Sequence, residues 1–253
     1  LKFNYSDNPI ADGEISIMTY NSHSARGVRW SRNPTYSDEI TGFIALENPD
    51  IVCIQEYSIT MDDELGHYPY KYQTPFYSGK SRQAIFSNYK IVETGSLNFP
   101  NSGNNALYAD IIIKRDTIRI YNLHLQSLVV RAGSFKREQP QNLFRRLGKT
   151  IQKQQQQANL VKDHANKVSY SKIICGDFNN TQFSSVYHTI KGDMKDSFQE
   201  KGFGLGSTYD FKFLPFRIDY ILADPELEIM SHKNFNVRMS DHRPVMASFR
   251  LKE

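Results

Sequence analysis

With 253 residues, 39% of them hydrophobic and 23% charged, the chain has the make-up of a folded globular protein and not of a disordered or fibrous one. Its formal charge of +4 tolerates an anionic substrate but is too mild to mark a nucleic-acid binder by itself. The two cysteines, Cys53 and Cys175, sit inside apolar runs as small buried hydrophobes, which leaves no disulfide framework or thiolate metal cluster. No apolar run is long enough to cross a bilayer as a helix.

Residues 1–13 are polar and turn-rich and read as a lead-in or linker, with residues 14–253 as one domain. No secretory signal opens the chain, which starts at Leu1, so localisation stays open, a removed signal or membrane anchor included. Ile15 to Asn21 alternates as a first strand. The loop after it carries Arg26, Arg29, Trp30 and Arg32, suited to phosphate and a flat group, or simply to a packed surface. Thr35 to Glu47 reads as a helix closed by Asn48-Pro49, and Asp50 to Glu56 as a strand ending on an acid.

Residues 60–79 are irregular and aromatic. Short strands follow at Arg82 to Phe86 and Lys90 to Glu93, then a hairpin of Tyr108 to Lys114 and Thr117 to Gln126 with Arg115-Asp116 at its tip. Residues 129–150 hold a basic excess that includes Arg131, either a solvated face or a phosphate-facing one. Apolar residues Leu143, Leu147, Ile151, Ala158, Val161, Ala165 and Val168 recur at helical spacing, predicting one long helix from Pro140 to Val168 with the glutamine run 154–157 mostly facing solvent. Ile173, Ile174 and Cys175 suit a strand buried on both faces, and Gly176 lets the backbone leave it. A short helix over Ser184 to Ile190, a flexible loop over Gly202 to Gly206, and strands at Phe216 to Leu222, Asn234 to Arg238 and Pro244 to Leu251 complete the reading. Mixed helices and hairpins without a repeat fit sheets packed in layers with outer helices.

Five strands end in, or contain, polar groups that a core would not choose: Asn21, Glu56, His124, Asp177 with Asn179, and Asp219. Asp241-His242 sits in a late loop. Singly, each has an ordinary explanation as a cap, a turn or a satisfied polar group. Together they supply the oxygen ligands that magnesium prefers, two imidazoles for proton transfer and acids to orient them.

The motifs Thr19-Tyr20-Asn21, Ile54-Gln55-Glu56, Asn122-Leu123-His124-Leu125, Gly176-Asp177-Phe178-Asn179, Ile218-Asp219-Tyr220-Ile221-Leu222 and Ser240-Asp241-His242 occur in the order found in the endonuclease/exonuclease/phosphatase superfamily, which the chain resembles from Ile15 onward. The resemblance implies a four-layered α/β sandwich, two packed mixed β-sheets flanked by helices. It also implies a metal-dependent hydrolase of phosphate esters, with Glu56 as principal metal carboxylate, Asn21 beside it and Asp241 a further ligand, for Mg2+ or Mn2+. Asp177 and Asn179 resemble the pair that readies the attacking water and holds a phosphoryl oxygen. His242 resembles the histidine at the scissile phosphate, with Asp219 behind it, and either Asp177 or His242 serves as base. His124 is similar to the histidine that protonates the leaving oxygen or stabilises the charge on it in the deoxyribonuclease, sphingomyelinase and inositol phosphatase branch, although no motif identifies its acid partner. The implied partner is a nucleic acid, phospholipid or small phosphate ester acted on by a monomer; the alternative is a catalytically silent phosphate- or partner-binding module on the same fold. The remaining histidines, His23 among them, match no motif and read as surface or structural.

Overall fold

The structure, a computed structural model, describes residues 2–3, 13–27, 35–75, 78–128, 139–211 and 214–251. Its frame is two six-stranded sheets. The first contains β1 (Ile15–Asn21), β2 (Ile51–Gln55), β3 (Tyr70–Gln73), β4 (Gln83–Ser87), β11 (Leu227–Asn234) and β12 (Val245–Leu251) in the order β11-β12-β1-β2-β4-β3. The second contains β5 (Ile91–Asn98), β6 (Asn105–Ile113), β7 (Asp116–His124), β8 (Lys172–Asp177), β9 (Lys195–Asp196) and β10 (Asp219–Ala223) in the order β9-β10-β8-β7-β6-β5. Each sheet has one parallel pair near its middle, β1 with β2 and β7 with β8, and every other neighbour runs antiparallel.

The inner strands lack a polar face because both faces are covered. In β1 and β2, Ile17, Ile51 and Cys53 point into the space between the sheets, where they meet Ile120, Ile173 and Cys175 of the second sheet. The alternate residues Met18, Val52 and Ile54 pack outward with Ile40 and Ile44 of helix α1 (Thr35–Glu47). On the opposite side Tyr121, Ile174 and Leu222 pack outward against Ala158 and Val161 of α2 (Pro140–Ala165) and Val186 and Ile190 of α3 (Ser185–Lys191). Helix, sheet, sheet and helix therefore form four layers around three apolar cores. The thiols of Cys53 and Cys175 meet in the central core, and burial, then the neighbouring thiol, holds Cys53 protonated. No described helix is long and apolar enough to cross a membrane.

Several elements depart from expectation. The strand placed at 234–238 lies earlier, at Leu227–Asn234, where Leu227, Ile229 and His232 alternate inward. The strand carrying Asp219 begins at that residue, because Leu214–Phe216 instead forms a small hairpin with Tyr209–Phe211. The hairpin tip falls at Lys114-Arg115, with Lys114 in a left-handed conformation. Phe203–Gly204, expected as loop, pairs with Lys2–Phe3, which was expected as lead-in.

The glutamine run differs most. Gln154 and Gln157 are buried and Ile151 is exposed. Gln154 Nε2 donates to the carbonyls of Gln126 (2.6 Å) and Asn179 (3.2 Å), its Oε1 accepts from Asn180 Nδ2 (2.9 Å), and Gln157 Oε1 accepts from the Gln126 N–H (2.9 Å). Here α2 overhangs the ends of β7 and β8, where backbone groups have run out of sheet partners, and amide side chains satisfy them as apolar ones could not.

Gly176 has φ +129° and a Cβ there would lie 2.1 Å from the Leu123 carbonyl oxygen on the adjacent strand. Gly176→Ala should therefore cost about 3 kcal/mol or more in urea unfolding; an unchanged midpoint would contradict this reading of the β7/β8 contact.

His232 is buried between Ser197 Oγ (2.8 Å) and Asn234 Oδ1 (3.0 Å), and burial holds its imidazole down at about 4, from an ordinary 6.5. Above pH 6.5 the ring is neutral in both folded and unfolded chains. Between 6.5 and 4 only the unfolded chain takes up the proton, so stability falls with pH through that window, by on the order of 3 kcal/mol in all. Denaturant unfolding from pH 7 to pH 4 should show this loss in the wild type and a smaller one in His232→Gln; parallel curves for the two would refute it.

Candidate active site

Parallel neighbours end at the same edge of a sheet, and antiparallel neighbours begin where the others end. Asn21 pairs across from Gln55, which precedes Glu56; His124 pairs across from Asp177; and Asp177 pairs across from Asp219. The segment leading into β12, which pairs with β1, carries Asp241 and His242 to the same edge. All the motif residues thus reach one rim of the sandwich, where the ends of both sheets face each other.

Asp177 is the centre of the rim and is 1% exposed. Its Oδ1 accepts from the Asn179 N–H (2.7 Å), and its Oδ2 accepts from Asn21 Nδ2 (3.0 Å) and Asn179 Nδ2 (3.1 Å). Burial and then the charge of Asp219 raise this carboxyl, against the pull of His242 and the two amides, to about 7. The second hydrogen bond of Asn179 Nδ2 goes to the Leu125 carbonyl (2.9 Å), so this amide is spent on fixing Asp177 and the end of β7.

His242 places Nδ1 at 3.0 Å and 3.2 Å from the two carboxylate oxygens of Asp219, and Nε2 at 3.7 Å from Asp177 Oδ2. Burial alone would lower the imidazole, but the carboxylates of Asp219 and Asp177 overcome it and raise His242 to about 10. At neutral pH the ring is an imidazolium held between two acids. Ser240 clips its loop in place, donating to the Asn21 carbonyl (2.8 Å) while accepting from the His242 N–H (3.2 Å).

His124 stands with Nε2 3.8 Å from Glu56 Oε1 and 3.9 Å from Asp177 Oδ2. Among the described residues its Nδ1 has no hydrogen-bond partner, so the acid that the motifs left unidentified is absent from that side of the ring. Burial lowers this imidazole, and the Glu56 charge opposes the shift only in part. A buried lone pair without a partner costs less than a buried N–H without one, which favours the neutral tautomer with hydrogen on Nε2, facing the site.

Glu56 and Asp241 remain open to solvent, at 31% and 33% of their side-chain surface. Glu56 has φ +48°, and its carbonyl accepts from the Ser24 N–H (2.8 Å) and Ser22 Oγ (2.9 Å). The Asn21 carboxamide lies behind the rim, its Oδ1 accepting from the His23 N–H (3.1 Å). Two partly open carboxylates beside a carboxamide are hard oxygen donors of the kind magnesium takes, so the residues present fit such an ion. One atom each of Asp177, Asp219 and His242 also lie within 4.8 Å of one another and could hold an ion. However, His242 Nδ1 is engaged by Asp219 and Asp177 Oδ2 by two amides, an arrangement built for proton and charge handling.

His23, which matched no motif, belongs to this rim: it is buried and its Nδ1 lies 3.3 Å from Asp241 Oδ1. His23, Ser24 and Ala25 all have φ near +50°, and Glu56 and Asn179 share that left-handed conformation, so strained backbone gathers around the site. Only the two-residue spacing from Asn21 hinted at His23. Of the expected substrate-binding residues, Arg26 is half-buried at the end of the His23 turn, its N–H on the His23 carbonyl (3.1 Å). Arg29, Trp30 and Arg131 lie outside the described residues.

No curated protein sequence matches this chain. Several solved structures share its fold. D. rerio TDP2 complexed with single-strand DNA product is 16% identical with a TM-score of 0.72, covering 94% of this chain and 100% of that one. An endonuclease/exonuclease/phosphatase from Bacteroides vulgatus is 20% identical with a TM-score of 0.74, covering 94% and 99%. The mannosyl-6-phosphatase of Bacteroides thetaiotaomicron is 18% identical with a TM-score of 0.70, covering 93% and 99%. The profile of the Endonuclease/Exonuclease/phosphatase family matches residues 18–242, a span that runs from β1 through His242, and the chain accordingly belongs to that family of hydrolases acting on phosphate esters.

Proposed function

We propose that this phosphoesterase is magnesium-dependent, with manganese as substitute, and that residues 14–253 act as one catalytic domain in which Asp177 readies a water for in-line attack on phosphorus. The observation that carries this reading is the buried row Asp219, His242, Asp177: a carboxylate fixes one nitrogen of an imidazolium whose other nitrogen faces a second carboxyl raised to about 7. A group raised that far is poised to take a proton near neutral pH, whereas an imidazole raised to about 10 stays charged. Asp177 is thus the better base, and His242 the cation that offers Nε2–H to a phosphoryl oxygen as negative charge builds there.

His124 donates an Nε2–H hydrogen bond to the leaving oxygen and stabilises the charge that builds on it. Asn21 and Asn179 fix the Asp177 carboxyl through three hydrogen bonds, two to Oδ2 and one to Oδ1, which leaves an Oδ1 lone pair for the water. Held by Glu56 and Asp241 with Asn21 beside them, the metal would add Lewis-acid neutralisation of phosphoryl charge. Positioning and electrostatics of this kind serve phosphodiesters and phosphomonoesters alike. The DNA product bound by D. rerio TDP2 and the phosphatase named from Bacteroides thetaiotaomicron support both substrate types, nucleic acid and sugar phosphate, on this fold.

The direct test is hydrolysis of bis-nitrophenyl phosphate, nitrophenyl phosphate, DNA and phospholipid with magnesium, with manganese and with chelator. Turnover should vanish with chelator and fall roughly 10²–10⁴-fold in Asp177→Asn. If none of these substrates is hydrolysed, a silent phosphate-binding module becomes the better reading.

The pH dependence has a defined sign. kcat/KM should rise as pH passes about 7, where Asp177 loses its proton, and fall as pH passes about 10, where His242 loses its own. Asp219→Asn removes the largest upward influence on His242, so the alkaline limb should move to lower pH; a limb that stays in place would separate Asp219 from His242 function. Glu56→Gln should raise the magnesium concentration for half-maximal rate by at least about 10-fold, the loss typical even of groups outside the first coordination sphere. An unchanged magnesium titration would remove Glu56 from the metal site.

A further inference from the structure

We propose that Thr208 is a positioning residue for the Asp219–His242 pair, its hydroxyl and backbone together setting the separation between the strand that carries Asp219 and the loop that carries His242. The inference rests on the reading of that pair as working groups.

Thr208 lies in a segment that the motifs pass over, two residues beyond Gly206, and its side chain is fully buried. Its Oγ1 accepts from two consecutive backbone N–H groups, those of Ile218 and Asp219, each at 3.1 Å. Its own N–H donates to the Phe216 carbonyl (2.9 Å), and its carbonyl accepts from the Arg243 N–H (2.7 Å). The next residue, Tyr209, forms an isolated antiparallel bridge with His242, and its ring lies 4.9 Å from the imidazole. Thr208 therefore touches the start of β10 on one side and Arg243 on the other, while its neighbour Tyr209 lies against His242.

The geometry gives this contact leverage. Asp219 is the first residue of β10, so its backbone is fixed on one side by pairing with Asp177 of β8. The Ile218 and Asp219 N–H groups point to Thr208. Without an acceptor, two buried donors would be left unsatisfied, and the backbone would shift to find partners. A shift of that kind turns the Asp219 carboxylate relative to His242 Nδ1, now 3.0 Å away. Displacements of about 1 Å in a reacting constellation cost on the order of 10²-fold in rate.

The test compares Thr208→Val, which keeps shape but removes the acceptor, with Thr208→Ser, which keeps the acceptor. Asp219→Asn is the reference, and bis-nitrophenyl phosphate with magnesium is the probe, below the unfolding midpoint of every variant. Thr208→Val should lose roughly 10–100-fold in kcat with KM unchanged, and Thr208→Ser should recover most of it. Amide hydrogen exchange should quicken at residues 218 and 219 in the valine variant and stay protected in the serine variant. A folded Thr208→Val with wild-type kcat, beside an impaired Asp219→Asn, overturns the inference and leaves the pair standing. Equal losses in the valine and serine variants overturn it too, since keeping the hydroxyl acceptor would then not keep the rate. Wild-type turnover in Asp219→Asn overturns both readings at once.

Discussion

Each sheet contains one parallel pair, and parallel strands deliver their C-terminal ends to the same edge. That constraint is what the rest of the structure depends on. Once Ile17, Ile51 and Cys53 pack against Ile120, Ile173 and Cys175, the ends of β1, β2, β7 and β8 must meet at one rim. The antiparallel strands β10 and β12, which pair with β8 and β1, then bring their starts to the same place. Asn21, Glu56, His124, Asp177, Asp219 and Asp241-His242 are neighbours because of strand direction and core packing, with few local contacts among them before the sheets dock.

Their different surroundings give chemically similar groups different tasks. Asp177 is dry and raised, Asp219 is equally dry but compensated by the imidazolium of His242, and Glu56 and Asp241 keep about a third of their side-chain surface in solvent. The two histidines separate in the same way. His242 lies between two carboxylates and is raised, whereas His124 faces Glu56 across 3.8 Å, has no acid behind its Nδ1 among the described residues, and is lowered. Environment, not residue type, sets these groups apart.

Much of this was legible in the sequence, for identifiable reasons. Strands buried on both faces read as continuous apolar runs, and polar residues closing such runs stand out, so the motif residues and most strand positions could be found. Asn48-Pro49 marked the end of α1, where Asn48 adopts the left-handed conformation that stops a helix. What could not be read were side chains whose partners are backbone groups of distant segments. Gln154 and Gln157 look like solvent-facing helix residues until the unpaired ends of β7 and β8 lie beneath them. His23 is an ordinary loop histidine until Asp241, near the other end of the chain, arrives beside it. The strand at Leu227–Asn234 was hidden because its charged and polar residues Glu228, Lys233 and Asn234 mask a half-buried alternation at the sheet edge.

These distant partners also govern when the site exists during folding. The bond from Asn21 to Asp177 spans 156 positions and joins the two sheets, and that from Ser240 to Asn21 spans 219. Neither can form within a single hairpin or a single βαβ unit, because the partners lie far apart along the chain. Closing such long loops is entropically costly, and only burial of the central core offsets it. Charged groups such as Asp177 and His242 would oppose that burial if each were left alone, since an unpaired buried charge costs several kcal/mol. Because each depends in part on a residue from another segment, Asn21 for Asp177 and Asp219 for His242, they instead discriminate against partly docked sheets. The rim that forms the candidate active site is therefore also a check on the register in which the two sheets come together.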